Sequence, residues 1–335
     1  MKNKKNEYFY SLDFFRGFCG YGVAISHLNA FVFKNLYAEY ISYLFVEFFF
    51  ILSGFVLYPQ LLKVLDNKKN LITFFKRRWL RTIPLYLVVT VAVTALTNNL
   101  FSSDFFKYLI FVQKIFPNFI NNDYFPVAWS LSIEEIFYLV FPLILINLNK
   151  SNFINYTVGL ILAFILLKFF ASSYVDANFL RTGSILRLDA ILVGFILAHY
   201  KKLIIINKVK IILINSLLIL LYLFSYDFFM HSKNSSNLNL IFIALLQTTS
   251  AFTLFSFIFL ESLIKKLKMK NLCLLISRQT YSIYLTHIVF IYFLDRLNFS
   301  IILSSIIYII TLFTASLIIY KFFEKPFLSL RPKLK

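Results

Sequence analysis

Residues 40–62 read Y-I-S-Y-L-F-V-E-F-F-F-I-L-S-G-F-V-L-Y-P-Q-L-L, and Glu47 is the single charge among those 23 positions. The run exceeds the roughly 20 apolar residues that an α-helix needs to cross a bilayer, and it lacks the period-2 alternation of a barrel strand. It therefore reads as a membrane-spanning helix. Comparable runs recur near 9–33, 82–100, 127–147, 153–172, 182–200, 209–228, 238–262, 275–294 and 299–321. The chain is expected to be an all-α membrane protein of about ten transmembrane helices, forming one domain over residues 1–335. Composition agrees: 60% of the 335 residues are apolar and 15% charged, against about 45–50% and about 25% in a soluble domain. With 20% aromatics, 2 Cys and 7 Gly, disorder, a disulfide-stapled module and a collagen-like chain are excluded.

The formal net charge of +19 does not mark a nucleic-acid surface, because the basic residues lie in short segments between apolar runs. With the amino terminus inside, 25 Lys and Arg fall on the inner side, among them Lys2, Lys4, Lys5, seven between Lys63 and Arg81, and Lys335. Only 6 fall outside: Lys34, Lys107, Lys114, Arg181, Lys233 and Arg296. This bias predicts both termini in the cytoplasm and a multi-pass protein of the cytoplasmic membrane. The first run carries Asp13, Arg16 and His27 and has no small-residue cleavage site, so it reads as a retained helix. The longest polar excursion, 101–126, is expected outside, lying on the membrane surface or capping a cavity.

An ionisable group at the centre of a spanning helix costs about 2.5–3.5 kcal/mol even on a lenient scale, so each is a functional candidate. Arg16 and His27 are 11 residues apart, which returns to within about 20° of one face about 16 Å further along the helix. Asp13, one turn before Arg16, is placed to pair with it. Glu47 and Glu134 enter early in inward-running spans and Arg187 and Asp189 begin another, which puts all four near the depth of His27. The expectation is a ring of charges and one imidazole around a polar cavity. Arg187 and Asp189 fit a buried ion pair equally well, and His287 fits a packing histidine equally well. Lone Cys19 reads as core. Glu324 and Lys325 are expected to end the last helix at the inner interface.

The chain resembles the acyltransferase-3 family of integral-membrane acyltransferases. The resemblance rests on L-D-F-F-R-G at Leu12–Gly17 with His27 following, F-F-F-I-L-S-G-F at Phe48–Phe55 after Glu47, and R-R-W-L-R-T-I-P-L-Y at Arg77–Tyr86. It continues through W-S-L-S-I-E-E-I-F-Y at Trp129–Tyr138, R-L-D at Arg187–Asp189 with Gly194, Y-S-I-Y-L-T-H at Tyr281–His287 and F-E-K-P-F at Phe323–Phe327. Seven motifs in family order cover nearly the whole chain. Phe14 stands where the family usually has Gly, and Ile25 and Ser26 precede His27 in place of a bulky apolar pair. Many relatives append an extracytoplasmic hydrolase-like domain; this chain is expected to be the stand-alone form.

The resemblance implies transfer of an acyl group, most often acetyl, from cytoplasmic acyl-CoA to a hydroxyl of a cell-envelope carbohydrate or glycolipid, without a metal. Arg16, Arg78 and Arg81 are then expected to hold the CoA phosphates, for which guanidinium is well suited. His27 is expected to be general base or acyl-accepting nucleophile, with Glu134 orienting or recharging it. Asp13, Glu47, Ser130, Arg187, Asp189, Tyr284 and His287 are expected toward the acceptor. A transporter or flippase of a small metabolite or lipid-linked sugar is the competing reading, but it predicts internal repeats and paired helix-breaking residues, and no repeat is visible among 7 Gly and 7 Pro.

Overall fold

In a computed structural model, residues 8–231, 236–297 and 299–334 are described. Lys2, Lys4, Lys5, Lys233 and Lys335 of the charge count lie outside them. Among the described residues the regular structure is helical, and ten helices have 17 residues or more. They are α1 (Tyr10–His27), α2 (Leu36–Asp66), α3 (Asn70–Leu96), α4 (Trp129–Leu145), α5 (Phe153–Ala171), α6 (Leu188–Ile205), α7 (Lys208–Phe224), α8 (Ser236–Phe259), α9 (Lys270–Leu297) and α10 (Ile301–Ile319). Each expected span falls on one of them. Six helical stretches, Leu36–Asp66, Asn70–Leu96, Pro126–Leu145, Lys150–Ala171, Asn237–Lys266 and Ile301–Ser329, are long and apolar enough to cross a membrane, so the chain is a multi-pass membrane protein. Of the others, α1 carries Asp13, Arg16 and His27, and α6 carries Asp189, Lys201 and Lys202.

The boundaries shift for identifiable reasons. The third helix starts at Asn70 rather than near residue 82, because Lys76, Arg77, Arg78 and Arg81 lower the hydropathy of turns that are nonetheless helical. Asn35 caps α2, its side chain accepting from the Ala38 amide at 3.2 Å. The first helix does not run straight to residue 33. After His27 it widens into a π-helical turn, Leu28–Val32, a feature that often marks functional positions. The Tyr308 hydroxyl on α10 donates to the Ala24 carbonyl at 3.0 Å just before that turn.

Helix α1 packs most extensively on α9 and α2, and α2 on α6. The α2–α6 crossing depends on two glycines. A Cβ on Gly54 would sit 1.9 Å from the Ile191 carbonyl oxygen, and one on Gly194 would sit 2.3 Å from that of Ile51. Backbone meets backbone there, the close approach that small residues permit between helices in lipid. Glu324 is not at an interface: it is buried in a second π-helical turn, Tyr320–Glu324, and accepts from the Ser282 hydroxyl.

The excursion 101–126 contains a short helix, Ser103–Leu109. Asp104 organises it, accepting from Lys107 Nζ at 2.9 Å and from the amides of Asn121 and Asn122 at 2.9 and 3.0 Å. Gly194→Val should prevent the α2–α6 contact and cost more than the about 1–3 kcal/mol of ordinary overpacking. Detergent-solubilised protein is then expected to lose its cooperative thermal transition, and a variant melting within a few degrees of wild type would contradict the packing described.

Candidate active site

Three cavities lie in series between the end of the bundle that carries the Lys- and Arg-rich segments and the opposite end. The first, of about 460 Å³, opens among Tyr8, Asp13, Arg16, Tyr58 and Lys201. The second is narrow, about 80 Å³, and is lined by Arg16, Ser53, Arg78, Arg81, Ser130, Glu134, Tyr138 and Tyr284. The third, about 200 Å³, is lined by His27, Glu39, Lys114, Asp123, Trp129, Arg181 and Tyr284. Arg16 and Val56 line both the first and the second. Val46 and Tyr284 line both the second and the third. The barrier between the last two is therefore formed by two side chains, and the Tyr284 hydroxyl is held there by Ser130 Oγ at 2.6 Å and the Val127 carbonyl at 3.1 Å.

Helical periodicity puts these groups together. Ser130, Glu134 and Tyr138 are spaced four apart and share one face of α4, as Arg78, Arg81 and Thr82 share one face of α3. Glu134 accepts from Ser53 Oγ at 2.6 Å and from the Tyr138 hydroxyl at 2.9 Å. The Arg78 guanidinium donates to Gln60 Oε1 at 2.6 Å and lies over the Phe74 and Tyr138 rings, 5.6 and 5.5 Å from their centroids. Arg16 and Arg81 make no side-chain hydrogen bond or ion pair to other described residues and border the narrow cavity.

Two expected pairings at the cavities are replaced. Asp13 does not pair with Arg16; it accepts from the Tyr8 hydroxyl at 2.5 Å and from Ser277 Oγ at 2.7 Å, which leaves Arg16 to the cavity. Glu134 is not the polar partner of His27. That partner is His287, whose Nε2 lies 2.9 Å from His27 Nδ1 with the rings stacked, 5.1 Å between centroids. His27 thus borders the third cavity while Glu134 borders the second.

Glu47, Arg187 and Asp189 line none of these three cavities. Arg187 and Asp189 do not pair with each other; Arg187, at the cap position just before α6, forms a buried ion pair with Glu47 of α2. Asp189 accepts from Lys168 Nζ at 2.5 Å and from Gln247 at 2.8 Å, joining α5 and α8 to α6. Sequence reasoning left Lys168 without a partner and assigned no role to Ser53, Tyr138 or Arg181. Arg181 rests on the Tyr43 ring, 3.8 Å from its centroid, with Trp129 at 5.1 Å, a cation–π arrangement at the edge of the His27 cavity. The signal was available: Arg181 and Lys114 are two of the six basic residues that run against the inside bias, and both line this cavity. The loop 101–126 does cap it, with Lys114 and Asp123 paired at 2.7 Å.

A model of the acyltransferase-3 family, described as an acyltransferase domain, matches residues 9–321. The chain belongs to that family. Among its relatives, a protein of Haemophilus influenzae described as uncharacterized is 32% identical to this acyltransferase over 195 residues, 50% of this chain and 78% of the relative. A putative O-acetyltransferase of Staphylococcus aureus strain COL is 30% identical over 220 residues, 59% of this chain and 35% of the relative. The O-acetyltransferase OatA of S. aureus strain NCTC 8325 is 28% identical along 95% of this chain and 57% of its own length. This acyltransferase therefore spans little more than half, or less, of the O-acetyltransferases it matches. No solved structure matches it.

Removing one member of a buried pair strands the other, at about 3–5 kcal/mol. Arg187→Ala is therefore expected to lose stability by that amount in a detergent melt, and a neutral effect would show that the pair holds nothing. At the cap, burial pushes the Asp104 carboxyl up, but Lys107 and the two backbone amides outweigh it and hold it below the ordinary carboxylate range. A depressed folded pKa stabilises above the unfolded value of about 3.9 and is lost as pH falls through the folded one. Trp129 fluorescence in a Trp79→Phe background should step in acid below that value and lose the step in Asp104→Asn; an identical step in both would remove Asp104 from the role.

Proposed function

We propose that this chain is a membrane O-acyltransferase that moves an acetyl group from cytoplasmic acetyl-CoA to a hydroxyl of a cell-envelope carbohydrate or glycolipid. The single observation that carries the reading is the series of cavities, wide and basic at one end, narrow in the middle, and bordered by an imidazole at the other. The names of the O-acetyltransferase relatives point the same way. Ten spanning helices with both termini in the cytoplasm of an inner-membrane protein complete the proposal, because that arrangement turns the basic end toward the cytoplasm.

On this reading each chemical part of the donor meets a matching environment. The polyanionic head of acetyl-CoA lies at the wide end, where Arg16 and Lys201 line the cavity and Arg78 and Arg81 reach it from the lining of the adjoining narrow one, offering charge-assisted hydrogen bonds. The pantetheine arm is a thin chain and suits the narrow cavity, which admits no nucleotide. Its thioester reaches toward Tyr284 and Val46. The acceptor enters the third cavity, where Trp129 and Tyr43 offer aromatic faces and Arg181, Asn178 and Glu39 offer polar groups. His27 takes the hydroxyl proton as the oxygen bonds to the acyl carbon and the carbon–sulfur bond breaks. The leaving thiolate is protonated from the narrow cavity, where Glu134 is the carboxyl group in the lining. Ser130 keeps Tyr284 in place between the two compartments. In a scheme through acyl-imidazole, a carbon–nitrogen bond to His27 forms as the carbon–sulfur bond breaks, and that bond breaks in turn as the hydroxyl oxygen, giving up its proton, bonds to the acyl carbon.

Purified protein in liposomes, given radiolabelled acetyl-CoA and envelope glycans, tests this directly. His27→Ala should lower label transfer by roughly 10²–10⁴-fold while the variant remains folded. Arg78→Ala and Arg81→Ala should act mainly on KM for acetyl-CoA, each losing a charged hydrogen bond worth about 1.5–3 kcal/mol. Unchanged transfer in His27→Ala, or arginine variants whose acetyl-CoA KM stays put, would count against the assignment.

A further inference from the structure

His287 sits on α9 three residues after Tyr284 and is fully buried. Its Nδ1 lies 2.7 Å from the Tyr284 carbonyl oxygen and 3.2 Å from that of Ile283. A carbonyl oxygen only accepts, so Nδ1 carries a hydrogen. In the neutral ring the lone pair then belongs to Nε2. That Nε2 faces His27 Nδ1 at 2.9 Å, and one hydrogen lies between them. Since His287 Nε2 accepts it, His27 Nδ1 donates it. The lone pair of His27 is left on Nε2, the one ring nitrogen of the pair with no partner among the described residues, on a side chain that borders the third cavity.

We infer that His287 is a positioning residue that fixes His27 in its Nδ1–H tautomer and so makes Nε2 the nitrogen that reacts. The inference rests on the proposed role of His27 and deepens it. A protonated His287 would instead donate to His27 Nδ1 and remove the base. No carboxylate touches either ring among the described residues, so nothing in contact favours that cation in a low-dielectric site. The orienting group here is thus a neutral imidazole backed by a backbone carbonyl, where many catalytic histidines have an acid. When His27 Nε2 takes the hydroxyl hydrogen, its Nδ1–H still donates to His287. The developing charge is then spread along a chain of two hydrogen bonds ending at Tyr284. The carbonyl that anchors this chain belongs to the residue whose side chain separates the two compartments, which couples the register of the imidazoles to the barrier.

The experiment compares wild type, His287→Ala, His287→Gln and His27→Ala as full-length protein in liposomes. Radiolabelled acetyl-CoA and envelope glycans give the rates, and ring-nitrogen NMR of histidine-labelled protein gives the tautomer, with His27 assigned from the signals lost in His27→Ala. Gln places its Oε1 about where imidazole Nε2 stood and can still accept from His27. His287→Ala is expected to lower kcat roughly hundredfold while KM for acetyl-CoA moves by less than about threefold, and His287→Gln to regain at least about tenfold. Wild type and Gln should show His27 protonated at Nδ1, with a tautomer mixture in Ala. A wild-type spectrum with His27 protonated at Nε2 overturns the inference even if the Ala variant fails to fold. Wild-type kcat in His287→Ala also overturns it. Unchanged transfer in His27→Ala would instead overturn the underlying assignment of His27, so the two failures are told apart.

Discussion

The buried ion pair between Arg187 and Glu47 fixes the position of α2, which, like α1, walls every cavity along the series. Ser53, Val56 and Val46 line the narrow one, Val56, Tyr58 and Pro59 the wide one, and Glu39, Ser42, Tyr43 and Val46 the one beside His27. In a membrane, apolar side chains gain little by meeting one another rather than lipid, so position must come from small-residue contacts and from polar groups that cannot tolerate being unpaired. Helix α2 has both against α6: the Gly54–Gly194 approach in its middle and the ion pair a little under two turns away. The second charged cluster, Lys168–Asp189–Gln247, extends the same frame to α5 and α8. Helix α1 is packed on α2 and α9 on α1, so the candidate site inherits its geometry from charges that line none of the three cavities.

This arrangement separates two kinds of intramembrane charge. Those of the frame are matched pairwise and buried: Arg187 is fully buried and its partner nearly so. Those of the cavities are arranged differently. Arg16 and Arg81 have no acidic partner among the described residues, Glu134 is held by two hydroxyls, and His27 is held by another imidazole. Such groups face space that a ligand can enter, whereas the unused polar atoms of the frame, Glu47 Oε1, Arg187 Nε and Nη1 and Asp189 Oδ1, belong to residues that line none of the three cavities. The distinction does not follow the helix, because α2 carries Glu47 of the frame and Glu39 of the third cavity, and α6 carries Asp189 of the frame and Lys201 of the first.

Depth is what the sequence conveys well, and azimuth is what it conveys poorly. Hydropathy and charge asymmetry locate each helix to within a few turns, with the largest miss at α3, where four basic residues hide twelve residues of helix. The 11-residue interval between Arg16 and His27 correctly separates a group at the basic end from one at the other. Rise along an axis, however, does not say which neighbour a face meets. Glu134 and His27 were expected to meet because their heights agree, and they line different cavities because α4 and α1 present those residues to different neighbours. Asp13 was expected on Arg16 because they share a helix, yet Ser277 of α9 and Tyr8 compete for it more closely. His287 was visible as an intramembrane histidine, but its contact with His27 joins residues 260 positions apart, which no local periodicity reveals.

The barrier at Tyr284 and Val46 bears on what this architecture can move. On the proposed reading, neither substrate has to cross it whole. Carrying a CoA head or a sugar through an apolar constriction would mean stripping water from several charges or hydroxyls, at a cost of several kcal/mol for each unpaired group. A two-carbon acyl group has one carbonyl oxygen to desolvate and is small enough to pass two side chains. Keeping donor and acceptor in separate compartments also keeps bulk water away from the thioester until a hydroxyl is in place beside His27. A conduit for a whole metabolite would need the opposite design, with the constriction at its most polar. Here the constriction closes on an aromatic ring and a valine, and the polar groups lie on either side of it, which is the distribution that group transfer requires.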